Sequence, residues 1–176
     1  MNLIDFINAD CDPFEVIVSH KSDYHENFGF QWNRFDKLQL DSFNGSTESR
    51  DRLLFQSELD PKDFKDKIIL ELGAGNGRFT EVLLDMGAKV IAVDYSSAIF
   101  ANHKNHISHV KDGSLICVQA DIFDLPIKKS SFDIVICYGV IQHTGDNIGC
   151  MRAISEYLGS DSKLLIDIYS NSLKHF

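Results

Sequence analysis

The stretch that most constrains this chain is Lys67–Arg78, KIILELGAGNGR. An apolar run, Ile68-Ile69-Leu70, leads to Glu71 and then to Gly73, Gly75 and Gly77 on alternate positions. Phe79, Val82, Leu83 and Met86 follow at i, i+3, i+4 and i+7, the spacing of one helix face. Strand, glycine turn and helix in that order form a turn that can hold a ligand. Glycine allows a sharp turn with positive φ and removes side chains where a ligand must touch backbone. The helix start adds unpaired N–H groups and a partial positive charge.

Spacing separates the kinds of turn. A dinucleotide-binding turn needs G-x-G-x-x-G, and its last glycine position is Arg78 here. The third glycine arrives one residue early, at Gly77, and an acid stands two residues before the first. This E-x-G-x-G-x-G form resembles motif I of the class I S-adenosylmethionine-dependent methyltransferases. The resemblance implies that Glu71, Gly73, Ala74, Gly75 and Gly77 carry the amino-acid end of S-adenosylmethionine. Taken alone, the motif leaves open a purely structural turn in another α/β protein.

The order of elements narrows the choice. Beyond Ile68–Leu70, apolar runs at Lys89–Val93, Ser114–Ala120, Phe132–Tyr138 and Lys163–Tyr169 read as four more strands. Helical patterns lie between them, at about Ser96–His109 and Asn147–Leu158, with Gly87 and Gly159 as helix ends. Strands alternating with helices predict an α/β fold whose parallel sheet is covered on both faces. With the resemblance, that becomes a Rossmann-like, doubly wound, mainly parallel sheet of five strands preceded by N-terminal helices. The family's sheet continues past the fifth strand. Ser170–Phe176 is too short to supply the rest, so the expectation is a core truncated at its C-terminus, with an exposed fifth-strand edge open to self-association.

Residues 1–60 show helical and polar patches without strand alternation and read as a helical segment, with 61–176 as the core. A short helix around Leu3–Ile7 and a longer one over about Thr47–Leu59 are expected, the latter stopped by Asp60-Pro61. Phe28, Trp32 and Phe35 form an aromatic stripe that reads first as packing. FGFQWNRFDKLQLDSFNG and the later SRDRL resemble the N-terminal segment of bacterial methyltransferases that accompany polysaccharide and other biosynthetic genes. A lid is then expected here, with Tyr24, Gln31, Trp32 and Arg34 as acceptor-side candidates.

Ligands of parallel α/β sheets bind beyond the carboxyl ends of the strands. Asp94 stands at such an end, about twenty residues after the glycine turn, where an acid can accept ribose hydroxyls. A loop or capping acid is the plainer alternative. The resemblance places Tyr95 beside the adenine, Asp121 on the adenine amino group, Ile122 packing nearby, and Tyr138 at the cofactor. Strand-end acids also cap turns, the plainer alternative for Asp121. Tyr138-Gly139-Val140-Ile141 stands where base-amine methyltransferases carry N/D-P-P-Y/F. His143 follows, on the acceptor side, as a general base or as an orienting group. His103, His106 and His109 rotate around their helix without a completing carboxylate or Cys, so no metal site is expected and a solvated polar face is.

Composition bounds the partners. A formal net charge of −9 argues against a phosphate-neutralising nucleic-acid surface. No run is long enough to span a membrane, and four scattered cysteines without a C-x-x-C pair suit free thiols in a reducing cytoplasm. The expected activity is S-adenosylmethionine-dependent methyl transfer to a small molecule or glycan. A catalytically inactive S-adenosylmethionine-binding module and a nucleotide-cofactor oxidoreductase are the rivals.

Overall fold

The computed structural model describes residues 2–8, 11–19, 39–129 and 132–168. Six strands form one parallel sheet: β1 (Ile17–Val18), β2 (Ile68–Leu72), β3 (Lys89–Asp94), β4 (Leu115–Gln119), β5 (Phe132–Cys137) and β6 (Leu158–Ile166). Their spatial order is β1-β4-β3-β2-β5-β6, so the chain reverses direction across the sheet between β2 and β5. Helices α1 (Asp41–Asn44), α2 (Glu48–Ser57), α3 (Arg78–Asp85), α4 (Ala98–Asn105), α5 (Ile107–Asp112) and α6 (Asn147–Ser155) cover it.

The alternation of side chains along each strand sorts the core into two layers. Leu70, Leu72, Ile91, Val93, Ile116, Val118, Val135 and Cys137 pack on one face with Ile154 and Tyr157 from the α6 end. Ile69, Val90, Ala92, Leu115, Cys117, Ile134 and Ile136 pack on the other, against Leu53 of α2, Leu83 of α3 and Ile99 of α4. Both faces are apolar because both are covered, which is why these strands read as continuous apolar runs.

The doubly wound α/β class holds, and its details differ from expectation. A sixth strand, β1, lies in the segment that shows no strand alternation; it pairs with β4 through Ile17 and Val18. Leu3, Phe6, Ile7 and Ile17 belong to the first core layer, so the N-terminus is packed into the sheet domain. Leu3–Phe6 is a 3-10 turn. The helix expected over Ser96–His109 is two helices, broken at His106, whose backbone leaves the helical region. The last strand starts at Leu158 and takes in Gly159, which was expected to end a helix. Among the described residues β6 pairs with β5 alone and forms one edge of the sheet. The expected aromatic stripe and the lid candidates Tyr24, Gln31, Trp32 and Arg34 lie outside the described residues.

Candidate functional site

β2 ends at the reversal of strand order, where the carboxyl ends of β2, β3, β4 and β5 open into a crevice. The glycine turn fills its head. Gly73 N and Ala74 N both donate to Val93 O, at 2.8 and 2.9 Å, locking the turn to β3. Gly75 has φ +54°, and a Cβ added there would meet nothing within 4 Å: the position faces open space. Gly77, with φ +98°, is different. A Cβ there would lie 2.5 Å from His106 Cε1 and 2.6 Å from Asn102 Oδ1, so this glycine permits close helix packing. One glycine leaves room for a ligand and the other for the protein.

The resulting cavity is about 600 Å³, within the range of small-molecule sites. Of the residues singled out in the sequence, Gly73, Ala74, Gly75, Asp94, Tyr95, Asp121, Ile122, Tyr138 and His143 line it. Glu71 and Gly77 do not: Glu71 is buried under the turn, and Gly77 faces Asn102 and His106. Sequence reasoning passed over Arg78, Phe79, Phe123 and Val140, which also line it. The signal for the first two was their place directly after the glycines.

Asp94 is engaged with its own protein. Its Oδ2 accepts from Gly75 N at 2.8 Å, and its Oδ1 accepts from Ser96 N at 2.8 Å and Ser96 Oγ at 2.6 Å. Asp121 accepts from Phe123 N at 3.0 Å, a turn bond, and still lines the cavity. A turn-capping role and a place at the cavity wall therefore coexist at this residue.

Beneath the turn runs a buried polar chain. Thr80 Oγ1 donates to Glu71 Oε2 at 2.6 Å, and Asn102 Nδ2 donates to Thr80 Oγ1 at 2.8 Å. His106 Nδ1 contacts Asn102 Oδ1 at 2.9 Å and the Asn102 carbonyl at 3.0 Å. A carbonyl can only accept, so Nδ1 carries the hydrogen and Nε2 is left buried without a partner among the described residues. Burial holds His106 below its ordinary pKa. Burial likewise pushes the Glu71 carboxyl up to about 8, opposed by the Thr80 hydrogen bond and helped by the charge of Asp94. His106 is thus no part of a solvated face. His103 contacts the Phe14 carbonyl and His109 pairs with Ser114, so the three histidines go to separate partners.

On the β5 side, Asp167 joins three elements. It accepts from Gly139 N and, at 2.6 Å, from Arg52 of α2. The Arg52 guanidinium lies 5.6 Å from the Phe79 ring and 6.0 Å from the Tyr138 ring, which meet edge to face. Burial raises the Tyr138 pKa.

The family described as Methyltransferase domain matches residues 70–166, more than half of the sequence. The chain belongs to that family. Solved structures similar to it include proteins described as S-adenosylmethionine-dependent methyltransferases. A Methanococcus maripaludis protein of that class superimposes with TM-score 0.64 at 17% identity, over 84% of this chain and 65% of that one. The glycopeptide N-methyltransferase MtfA, complexed with sinefungin, gives TM-score 0.56 at 25% identity, over 72% of this chain and 50% of its own. By sequence, wheat (Triticum aestivum) phosphoethanolamine N-methyltransferase is 28% identical over 111 residues, 63% of this chain and 22% of that enzyme. The tRNA U34 carboxymethyltransferase of Campylobacter fetus is 26% identical over 105 residues, 60% of this chain and 37% of its own. The chain therefore spans well under half the length of these two relatives. No helix of the described residues is long and apolar enough to cross a membrane.

Proposed function

We propose that this chain binds S-adenosylmethionine in the crevice at the head of β2–β5 and transfers its methyl group to a small-molecule or glycan acceptor. The observation that carries this reading is the glycine turn opening at Gly75 onto a cavity lined by two strand-end acids, Asp94 and Asp121. The residues fit the cofactor's shape: open backbone for its amino-acid end, acids for its ribose and adenine, apolar Ile122 beside the ring. When bound, S-adenosylmethionine supplies an electrophilic methyl on a sulfonium, an excellent leaving group.

What remains for the protein is positioning and, for a hydroxyl or amine acceptor, removal of a proton. A carboxylate offers about four lone-pair sites. Asp94 has three taken by Gly75 and Ser96, which leaves room for one ribose hydroxyl rather than two. Asp121 keeps Oδ2 clear of its turn bond and takes the adenine amino group. His143, exposed on the 3-10 turn Ile141–His143 at the cavity wall, takes the acceptor's proton on an imidazole nitrogen. In this reading the part of the N-terminal segment from Gln39 to α2 covers the site beside Arg78, and the β6 edge supports self-association. A formal charge of −9 favours a small acceptor over nucleic acid.

Calorimetry with S-adenosylhomocysteine against NAD is the first test. Binding of NAD alone would overturn the cofactor assignment. Turnover across hydroxyl and amine acceptors is the second, with light scattering for the edge. His143→Ala should lower turnover by roughly 10²–10⁴-fold with cofactor affinity unchanged, the loss typical of a general base. Normal turnover in that variant would make His143 an orienting residue.

A further inference from the structure

Among the described residues, Arg78 is the single Arg or Lys lining a cavity that otherwise carries two aspartates. Its position is fixed. Nε donates to Ser49 Oγ at 2.9 Å, and the guanidinium carbon sits 5.5 Å from the Phe79 ring centroid. Ser49 is itself held: it is 1% exposed, and its backbone N–H donates to Asp41 Oδ1 at 3.1 Å. Arg50 N donates to the other oxygen of Asp41 at 3.0 Å, so the start of α2 is clamped by one carboxylate. Leu53, one turn further on, is completely buried in the core. A guanidinium has five N–H donors in a planar fork. Ser49 takes one, and the terminal nitrogens that remain have no acceptor among the described residues.

A fixed, planar, partly unused fork beside an open glycine turn is matched to a carboxylate, which it can bind bidentately. The methionine end of S-adenosylmethionine carries an α-carboxylate, and the turn is where the proposed function places that end. We propose that Arg78 anchors this carboxylate and that Ser49, from the N-terminal helix, is the positioning residue that aims it. The inference rests on the cofactor reading above and adds to it. Residues 48–57 would then contribute to cofactor affinity in addition to covering the site. An anionic group on the acceptor is the other carboxylate or phosphate the cavity could offer Arg78.

Two ligands separate these sources. S-adenosylhomocysteine has the carboxylate; 5′-methylthioadenosine keeps the nucleoside and lacks the amino-acid tail. Calorimetry on Arg78→Ala should show S-adenosylhomocysteine weakened roughly ten- to a hundredfold, the scale of hydrogen bonds to a charged group, with 5′-methylthioadenosine changed less than about twofold. Ser49→Ala should give a smaller loss with the same selectivity, and no further loss in the Arg78→Ala background. Equal losses for the two ligands would make Arg78 a structural residue. Unchanged S-adenosylhomocysteine affinity would assign its anion to the acceptor and overturn the proposal. Should circular dichroism show Arg78→Ala unfolded, Arg78→Lys and Arg78→Gln supply the same ratio. An unaltered chain that binds no S-adenosylhomocysteine would instead remove the underlying reading, before any variant is measured.

Discussion

The backbone N–H of Gly75 donates to Oδ2 of Asp94 at 2.8 Å, joining residues 19 apart in sequence. The bond makes the glycine turn after β2 and the end of β3 one unit. In the proposed reading, an acid that a ribose would use from one side supports, from the other, the turn that would receive the amino-acid end. Two halves of the crevice are therefore coupled through a single carboxylate.

Asp94→Ala should for that reason weaken S-adenosylhomocysteine by more than one lost ligand contact. Hydrogen bonds to a charged group contribute about 1.5–3 kcal/mol each, so the loss should reach at least ten- to a hundredfold. It should fall on 5′-methylthioadenosine as well, because the ribose is shared. Asp94→Asn, which keeps an oxygen for Gly75 or Ser96, should lose less. Equal affinity in the Ala variant and the unaltered chain, with circular dichroism unchanged, would remove Asp94 from the site.

The glycines divide in the same way. Gly75→Val places a branched side chain in open space at φ +54°, so its folding cost is about the 1–2 kcal/mol of a left-handed non-glycine residue. Cofactor binding should be abolished. Gly77→Ala adds a Cβ at φ +98° that overlaps Asn102 and His106, both buried, and should destabilise the fold more than Gly75→Val does. Urea unfolding and calorimetry on the two variants decide; loss of stability in Gly75→Val with binding intact would reverse the assignment.

These contrasts show what a sequence reveals. β2, β3, β4 and β5 were legible because both sheet faces are covered, which makes the runs nearly continuous in apolar residues, and β3 and β4 also lead into the acids Asp94 and Asp121. β1 was not, because two residues, Ile17 and Val18, are too few to show a period. The start of β6 was missed because Gly159, Ser160 and Asp161 are exposed on an edge strand, where polar residues are tolerated. His106 was misread for a local reason. Its ring turns back onto Asn102 and lies buried against Gly77, a contact that three-residue spacing of histidines does not encode. Arg52 and Asp167 lie 115 residues apart, so no motif could announce their pairing.

Glu71 makes stability pH-dependent with a definite sign. Its folded pKa of about 8 lies above the ordinary value of 4.5, chiefly because of burial. Between those values the unfolded chain is ionised while the folded one holds a proton. The contribution is thus fully present below about pH 4.5 and lost as pH rises through 8. At its steepest the slope is about 1.4 kcal/mol per pH unit. Glu71→Gln keeps an oxygen for the Thr80 hydroxyl and cannot ionise, so it should flatten the profile from pH 5 to 8 and be the more stable form at pH 8. A profile identical to that of the unaltered chain would mean that Glu71 is ionised in the fold.

The last prediction concerns Asp167, where α2, the segment after β5 and the end of β6 meet. The Arg52–Asp167 pair has side-chain exposures of 39% and 15%, and such half-exposed pairs contribute about 0–1 kcal/mol. The bond from Gly139 N is a different matter. It satisfies a half-buried backbone donor at the cavity wall, and a donor left unpaired on burial costs about 1–3 kcal/mol. Asp167→Ala removes both interactions and should lower stability by about 1–3 kcal/mol. Arg52→Ala removes one and should cost less than about 1 kcal/mol. Asp167→Asn keeps an acceptor for Gly139 and should resemble Arg52→Ala. The order is read from urea midpoints at constant m-value. Because Gly139 follows Tyr138 directly, Asp167→Ala should also loosen the wall behind that ring and weaken S-adenosylhomocysteine, whereas Arg52→Ala should leave the wall in place. If Arg52→Ala costs as much stability as Asp167→Ala, the ion pair rather than the backbone bond holds this corner together.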